Sequence, residues 1–161
     1  MLFLRALLAF LALPAVVGGL IPWWWLQSDT TRAGGTVFGW PVLTFGLIVV
    51  LLCVRDFYRI GKGTLAPWDP PKRLVVIGLY RFTRNPMYIG LLSWVAGWSL
   101  LSGSTRLAVY TIFLVAAFHL RVVLYEEPTL ARLFVDEWPE YRSTVNRWLP
   151  KPFGRNLPPC K

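Results

Sequence analysis

Charged residues are scarce in this sequence. Asp, Glu, Lys and Arg make up 16% of the 161 residues, whereas 55% are hydrophobic. A soluble domain carries roughly 25% charged residues, because its surface must stay hydrated. Charge is absent from residues 6–28, 33–54 and 86–105, and from 107–120 apart from His119. This shortage excludes an ordinary soluble domain and indicates an integral membrane protein.

Potential metal ligands are equally few. The chain has one histidine and two cysteines, with Cys53 inside an apolar stretch and Cys160 second from last. One histidine cannot supply a ligand cluster, and this cysteine placement suggests neither a disulfide nor a prenylation motif. We therefore expect no metal site, and we interpret His119 as a polar residue that is hydrogen-bonded within or beside a helix bundle.

The apolar stretches have the length of membrane-spanning helices, which need about 20 residues. The predicted fold is all-α: a single membrane domain over residues 1–161, built as a polytopic transmembrane helical bundle. About four spans are predicted, at residues 4–25, 35–54, 86–102 and 106–125. A cytosolic cofactor-binding loop is predicted at 55–85, and a cytosolic, amphipathic interfacial segment at 126–161. The first span is expected to be retained rather than cleaved as a signal peptide, because no clean cleavage site follows it.

The basic residues that give the chain a net charge of +9 are unevenly placed. The two basic clusters are Arg55, Arg59, Lys62, Lys72, Arg73, Arg81 and Arg84, then Arg121, Arg132, Arg142, Arg147, Lys151, Arg155 and Lys161. Four spans put both clusters on one side of the membrane, as the positive-inside rule requires. We therefore expect lipid rather than nucleic acid as the partner, with both termini and the working surface in the cytosol, in a bacterial or archaeal cytoplasmic membrane.

Local signals predict where the last two spans begin and end. Asn85-Pro86 suits a helix start, with Asn85 as the cap of the free N–H groups. Gly90, Ser93 and Gly97 follow at i, i+3 and i+7, so they predict a helix face that packs closely against a neighbour. The Ser102-Gly103-Ser104 sequence predicts a tight turn into the next span. That span is expected to end before Pro128, and the amphipathic segment after it to break near Pro139.

Two constellations could carry chemistry. Glu126 and Glu127 lie at the end of the last span, where acids are either simply solvated or part of a site. Arg84-Asn85-Pro86-x-Tyr88 is either a basic boundary with an ordinary cap or a helix N-terminus able to hold an anionic ligand. The predicted hairpin brings the two constellations to the same end of the bundle. Cationic donors opposite carboxylates would suit a zwitterionic ligand, such as an amino acid moiety attached to a ribose.

The motifs around these residues resemble the isoprenylcysteine carboxyl methyltransferase family and the related phospholipid methyltransferases. The resemblance rests on Leu74-Val75-x-x-Gly78-x-Tyr80-Arg81, Arg84-Asn85-Pro86-Met87-Tyr88-x-Gly90, Glu126-Glu127-Pro128-x-Leu130 and Arg147-Trp148-Leu149-Pro150. It implies a methyltransferase that uses S-adenosylmethionine and a lipophilic or small acceptor. The cofactor-binding residues implied or suggested are Arg73, Leu74, Val75, Tyr80, Arg84, Asn85, Pro86, Met87, Tyr88 and Glu126. Arg121 and Glu127 are the expected catalytic residues.

The sequence also departs from the family pattern. Many isoprenylcysteine enzymes have His in place of Asn85, and they carry an Arg one helical turn before the acids, whereas Arg121 is five residues before Glu126. These departures weaken the case for a prenylated acceptor and leave the methylated atom open. Two alternatives remain at this point: an NADPH-dependent membrane reductase of the sterol reductase type, and a non-catalytic membrane scaffold.

Overall fold

The computed structural model describes residues 11–30, 32–56 and 73–150, and this described part of the chain is helical. The elements are a π-helical segment Leu11–Leu20 that continues into α1 (Ile21–Ser28), α2 (Gly39–Asp56), a 3-10 turn Gly78–Arg81, α3 (Pro86–Ser102), α4 (Thr105–Arg121), a π-helical turn Val122–Glu126, α5 (Glu127–Leu133) and α6 (Trp138–Thr144). Extended pairing within these residues is limited to two isolated bridges, Arg32 with Ser104 and Thr83 with Asn146. The all-α prediction is confirmed for this part of the chain.

Two helices are long and apolar enough to cross a bilayer. They are Gly39–Asp56, which is α2, and Thr105–Leu133, which joins α4, the π-helical turn and α5. Helix α3 matches the predicted 86–102 but has 17 residues, at the short end of the range for a span. Part of the predicted first span, residues 4–10, lies outside the described residues. Four spans therefore stay a prediction.

Helices α2 and α3 form the closest pair in the bundle. Glycines allow this approach, because a Cβ at Gly97 would lie 2.5 Å from the backbone nitrogen of Leu43, and one at Gly46 would lie 2.5 Å from the carbonyl oxygen of Gly90. Neither site has room for a side chain. The predicted small-residue face of α3 is thus a helix contact, with Gly90 and Gly97 against α2.

The predicted tight turn between α3 and α4 is present. Gly103 has φ +64°, a conformation that favours glycine, and ends α3. Ser104 then caps α4 by accepting a hydrogen bond from the Leu107 N–H at 3.3 Å. This hairpin places the start of α3 and the end of α4 at the same end of the bundle.

The helix that contains the last predicted span continues beyond Pro128, so the helix end does not mark the predicted end of the span, which stays a prediction. The helix that begins at Thr105 runs on to Leu133, with Pro128 in the first turn of α5. Just before it, the chain makes a π-helical turn in which the Glu127 N–H bonds to the Val122 carbonyl oxygen, five residues back. The proline is tolerated because it follows this turn and occupies a first-turn position, where its missing N–H costs no hydrogen bond.

The segment after Leu133 folds back on the bundle. A break at residues 134–137 precedes α6, which carries Pro139 in its first turn, so the expected break near this proline is observed. Trp138, Tyr141 and Val145 are buried together with Leu74. This apolar cluster attaches the C-terminal segment to the residues that lead into α3. The described residues do not test whether the segment lies at a membrane interface.

Candidate functional site

The ends of α3 and α4 meet at a partly exposed cluster of three side chains. Tyr88, in the first turn of α3, donates a short hydrogen bond to Oε1 of Glu126. Arg121 Nε lies 3.1 Å from the Tyr88 hydroxyl oxygen and 3.0 Å from the same Glu126 oxygen. We call Tyr88, Arg121 and Glu126 the outer cluster. The two predicted constellations are therefore in direct contact, through Tyr88 from one and Glu126 from the other.

The π-helical turn makes the Arg121–Glu126 contact possible. In an α-helix, residues five apart point about 140° away from each other, because each residue turns the chain by about 100°. The wider turn at Val122–Glu126 brings them back to one side, and their charged groups pair at 3.0 Å. Such π-bulges occur frequently at functional sites. The five-residue spacing, which departs from the family pattern, thus still allows Arg121 to contact Glu126.

The outer cluster leaves ligand-binding atoms uncommitted. The described hydrogen bonds use only Oε1 of Glu126 and Nε of Arg121, so Oε2 and the two terminal guanidinium nitrogens have no described partner. The side chains are 28% and 35% exposed, which makes them accessible. On its inner side the Tyr88 ring packs against the buried Phe118 ring, with ring centres 4.6 Å apart. The cluster can therefore offer one acceptor and several donors from a firmly packed base.

Glu127 points to a second, more buried set of charges. Arg147 donates to it with both Nε and Nη2, at 2.7 and 2.8 Å, and Arg84 Nη1 lies 3.0 Å from Oε1. We call Arg84, Glu127 and Arg147 the inner triad. The side chains of Arg84 and Glu127 are only 10% and 12% exposed. Both oxygens of Glu127 are engaged, so this carboxylate is committed to holding the structure together.

The pKa values of the two arginines of the inner triad shift in opposite directions, because burial dominates at Arg84 and hydrogen bonding dominates at Arg147. Burial lowers the pKa of Arg84, whose guanidinium also lies 5.5 Å from the centre of the Trp138 ring. The hydrogen bonds to Glu127 raise the pKa of Arg147. Arg84 Nη1 and Nε make no well-directed hydrogen bond among the described residues, although Nη1 is within ion-pair distance of Glu127. Arg84 thus depends on Glu127 for its charge balance.

The chain just before α3 is tied to the C-terminal segment. The Arg84 N–H donates to the Asn146 carbonyl oxygen at 2.9 Å, and the Thr83 hydroxyl donates to the Arg147 carbonyl oxygen at 3.0 Å. Asn85 does not cap α3 as predicted. Its side-chain amide instead donates to the Arg147 carbonyl oxygen at 3.1 Å, and its side-chain oxygen makes no capping hydrogen bond to the first N–H groups of α3. These bonds fix the start of α3 and hence the position of Tyr88.

Comparison with known proteins identifies the family. The family model of the phospholipid methyltransferases matches residues 35–137, well over half of the chain. The chain belongs to the phospholipid methyltransferase family. The matched region contains α2, α3, α4, the π-helical turn and every residue of the outer cluster. Membership supports a membrane methyltransferase as the class of enzyme and confirms the resemblance drawn from the motifs.

Curated relatives point in the same direction. The chain is 26% identical over 151 residues to protein-S-isoprenylcysteine O-methyltransferase A of Arabidopsis thaliana, which covers 91% of the chain and 71% of that protein. It is 32% identical over 120 residues to a probable protein-S-isoprenylcysteine O-methyltransferase of Oryza sativa, covering 69% of the chain and 62% of that protein. No solved structure matches at the same level of significance. Because these relatives are plant proteins, they give no support to a bacterial or archaeal source.

Several residues that the family resemblance suggested pack in apolar clusters of the described structure. Leu74 is buried against α6, and Val75, Tyr80 and Met87 belong to an apolar cluster with the end of α2. The Tyr80 carbonyl oxygen accepts a 2.8 Å hydrogen bond from the hydroxyl of Tyr141. Burial raises the pKa of both of these tyrosines. These contacts do not test cofactor binding, so the binding role of these residues stays a prediction.

Arg73 and Pro86 complete the predicted set. The Arg73 side chain is exposed, and no hydrogen bond or ion pair between described residues involves it. Pro86 is buried at the first position of α3, as predicted. Of the loop predicted to bind the cofactor, residues 57–72 lie outside the described part of the chain, and so do residues 151–161 of the C-terminal segment. Within the described residues there is also no cluster of three potential metal ligands.

Sequence interpretation overlooked Asp56, at the end of α2. This residue is 2% exposed, and its Oδ1 accepts from Arg55 at 2.9 and 3.0 Å. Its Oδ2 has no partner among the described residues and faces Gly78, where a Cβ would lie only 2.1 Å away. Gly78 also has φ +55°, so a side chain is excluded by both contact and conformation. The available signal was an acid at the end of an apolar helix.

Proposed function

We propose that this chain transfers a methyl group from S-adenosylmethionine to a lipophilic or small acceptor at the outer cluster. The observation that carries the proposal is the pairing of Tyr88, Arg121 and Glu126, which leaves one carboxylate oxygen and the terminal guanidinium nitrogens available for ligands. Family membership supplies the class of reaction. The names of the relatives, which are O-methyltransferases, support an acceptor that presents a carboxylate.

The residues present fit the chemistry of S-adenosylmethionine, which supplies a methyl group activated on a positively charged sulfur. Glu126 Oε2 is suited to accept hydrogen bonds from an ammonium group or from ribose hydroxyls. The first N–H groups of α3, at Met87 and Tyr88, have no acceptor within the helix and are suited to a carboxylate. These donor and acceptor groups thus match the zwitterionic part of the cofactor.

In this proposal, Arg121 binds the methyl acceptor. Its Nε is held by Glu126 and by the Tyr88 hydroxyl, which fixes the guanidinium plane and leaves two terminal nitrogens for a carboxylate. An acceptor that arrives as an anion is already nucleophilic and requires no general base. The task of the protein is then to align the acceptor with the methyl group and to exclude water. In the transfer, a bond forms from the acceptor to the methyl carbon as the bond to sulfur breaks.

Glu127 has a positioning role in this proposal. Both of its oxygens are held by Arg147 and Arg84, so it cannot bind a ligand without breaking the inner triad. The triad connects the chain before α3 to the end of the last helix. It thereby sets the distance between Tyr88 and Glu126, on which the outer cluster depends.

Isothermal titration of the detergent-purified protein tests the proposal. S-adenosylhomocysteine, the product form of the cofactor, should bind with measurable heat, whereas NADPH should not. Binding of NADPH without S-adenosylhomocysteine would favour a reductase of the sterol reductase type. Binding of neither compound by a folded protein would favour a non-catalytic scaffold, and either result would overturn the proposed function.

A further inference from the structure

A groove lies on the lipid-facing side of the bundle, at the end opposite the outer cluster. It has a volume of about 740 Å³, within the usual range for ligand pockets. Its lining residues come from α1 and the first turns of α4: Trp25, Thr105, Arg106, Val109, Tyr110 and Phe113. Val109 and Phe113 are 61% and 65% exposed, although they belong to a helix apolar enough to span a membrane. The groove is therefore open to the hydrocarbon region.

The walls of the groove are held in place by aromatic contacts. Trp25 and Tyr110 meet edge to face, with ring centres 5.1 Å apart. The Tyr110 hydroxyl donates to the Val17 carbonyl oxygen at 3.3 Å, which connects α4 to the first helical segment. The hydroxyl of Tyr110 is thus occupied within the protein. The open surface that remains is apolar, as a hydrocarbon chain requires.

One end of the groove is positively charged. Arg106 lines the groove in the first turn of α4, with a side chain that is 48% exposed. It contacts Asp29 at 3.6 Å and the Ser28 carbonyl oxygen at 3.4 Å, which leaves Nη2 without a described partner. Arg32 lies at the same end, where its backbone pairs with that of Ser104. Since the Asp29 side chain is 0% exposed, the charges presented to the surroundings here are positive.

We propose that this groove binds one anionic phospholipid. The phosphate would lie at Arg106, and one acyl chain would run along Val109 and Phe113. The distance from Arg106 to Phe113 along the helix axis is about 10 Å, enough for the upper part of an acyl chain. A water-soluble anion would gain nothing from the apolar walls, and a neutral lipid would gain nothing from the arginines. The proposal does not depend on the function assigned to the outer cluster.

Native mass spectrometry of the detergent-purified protein tests this site. Phosphatidylglycerol and phosphatidylcholine with identical acyl chains are added in turn, and the fraction of protein with one bound lipid is measured. Phosphatidylglycerol should bind about tenfold more tightly, because a charge-assisted contact to Arg106 distinguishes the headgroups. Arg106→Gln should abolish the preference, and Arg106→Lys should retain part of it. Equal binding of both lipids by the wild-type protein would overturn the proposal.

A second pair of variants tests whether an acyl chain occupies the groove. Val109→Trp fills the groove without touching Arg106, so it should reduce phosphatidylglycerol binding several-fold. Ile112→Trp is the matched control, because Ile112 is 70% exposed on the same helix and does not line the groove. Equal binding by these two variants would contradict a chain in the groove. Competition by inorganic phosphate at millimolar concentration would also contradict the proposal, since it would indicate a simple anion site.

Discussion

Replacing Glu127 by glutamine removes the charge at the centre of the inner triad while it keeps the shape of the side chain. Arg84 and Glu127 are 10% and 12% exposed, and Arg147 is 30% exposed. Breaking a buried ion pair leaves an uncompensated charge and typically costs 3–5 kcal/mol. Because Arg147 reaches solvent and glutamine can keep one hydrogen bond, we expect about 3 kcal/mol here. For a chain of this size, that corresponds to a fall of roughly 6–12 °C in the melting temperature.

The assay is thermal unfolding in one detergent at one scan rate, followed by tryptophan fluorescence. Glu126→Gln is the matched control, since its ion pair with Arg121 is 28% and 35% exposed, and such pairs contribute about 1 kcal/mol or less. The double variant Glu127→Gln, Arg84→Gln should recover part of the loss, because the buried charge that Glu127 compensates is removed as well. Equal and small falls in melting temperature for the two single variants would refute the claim that the inner triad stabilises the fold.

Further predictions concern the frame around the site. Gly97→Leu should cost about 3 kcal/mol, because its Cβ would lie 2.5 Å from the backbone of α2, whereas Gly19→Leu, with open space around it, should leave the melting temperature nearly unchanged. Ser104→Ala should cost about 1–3 kcal/mol by leaving the buried carboxylate of Asp29 without its hydroxyl partner; an unchanged melting temperature would contradict this. Reporter fusions at Lys161 and in the first loop should lie on opposite sides of the membrane, and a shared side would contradict the predicted topology.

Sequence patterns located the ends of the helices that meet at the site. The Asn85-Pro86 start and the Ser102–Ser104 turn are local signals, and both are found where they were expected. The resemblance to the methyltransferases is confirmed by the family match. Helical periodicity could not predict the roles within the site, since the π-helical turn changes which residues share a face. That turn directs Glu126 towards Tyr88 and leaves Glu127 to the inner triad.

Long-range pairing explains the remaining misses. The Asn85 side-chain amide donates to the Arg147 carbonyl oxygen, 62 residues away, and no local rule predicts this partner in place of the usual capping bond. His119 accepts a 3.2 Å hydrogen bond from the Trp148 indole, which agrees with its interpretation as a hydrogen-bonded polar residue but names a partner that the sequence did not. The same holds for Asp29, whose loop carried no signal of a contact with Ser104.

The affinity of S-adenosylhomocysteine for the wild-type protein and for Glu126→Gln tests the central claim most directly. Removal of a carboxylate charge that binds a ligand ammonium or hydroxyl should cost roughly 1.5–3 kcal/mol, or about ten- to a hundredfold in affinity. Glu137→Gln is the control, because Glu137 is exposed and lies outside the outer cluster. The account predicts a loss of at least tenfold for Glu126→Gln and less than twofold for Glu137→Gln. Equal affinities for the wild type and both variants, with the wild type binding well, would contradict the placement of the cofactor at the outer cluster.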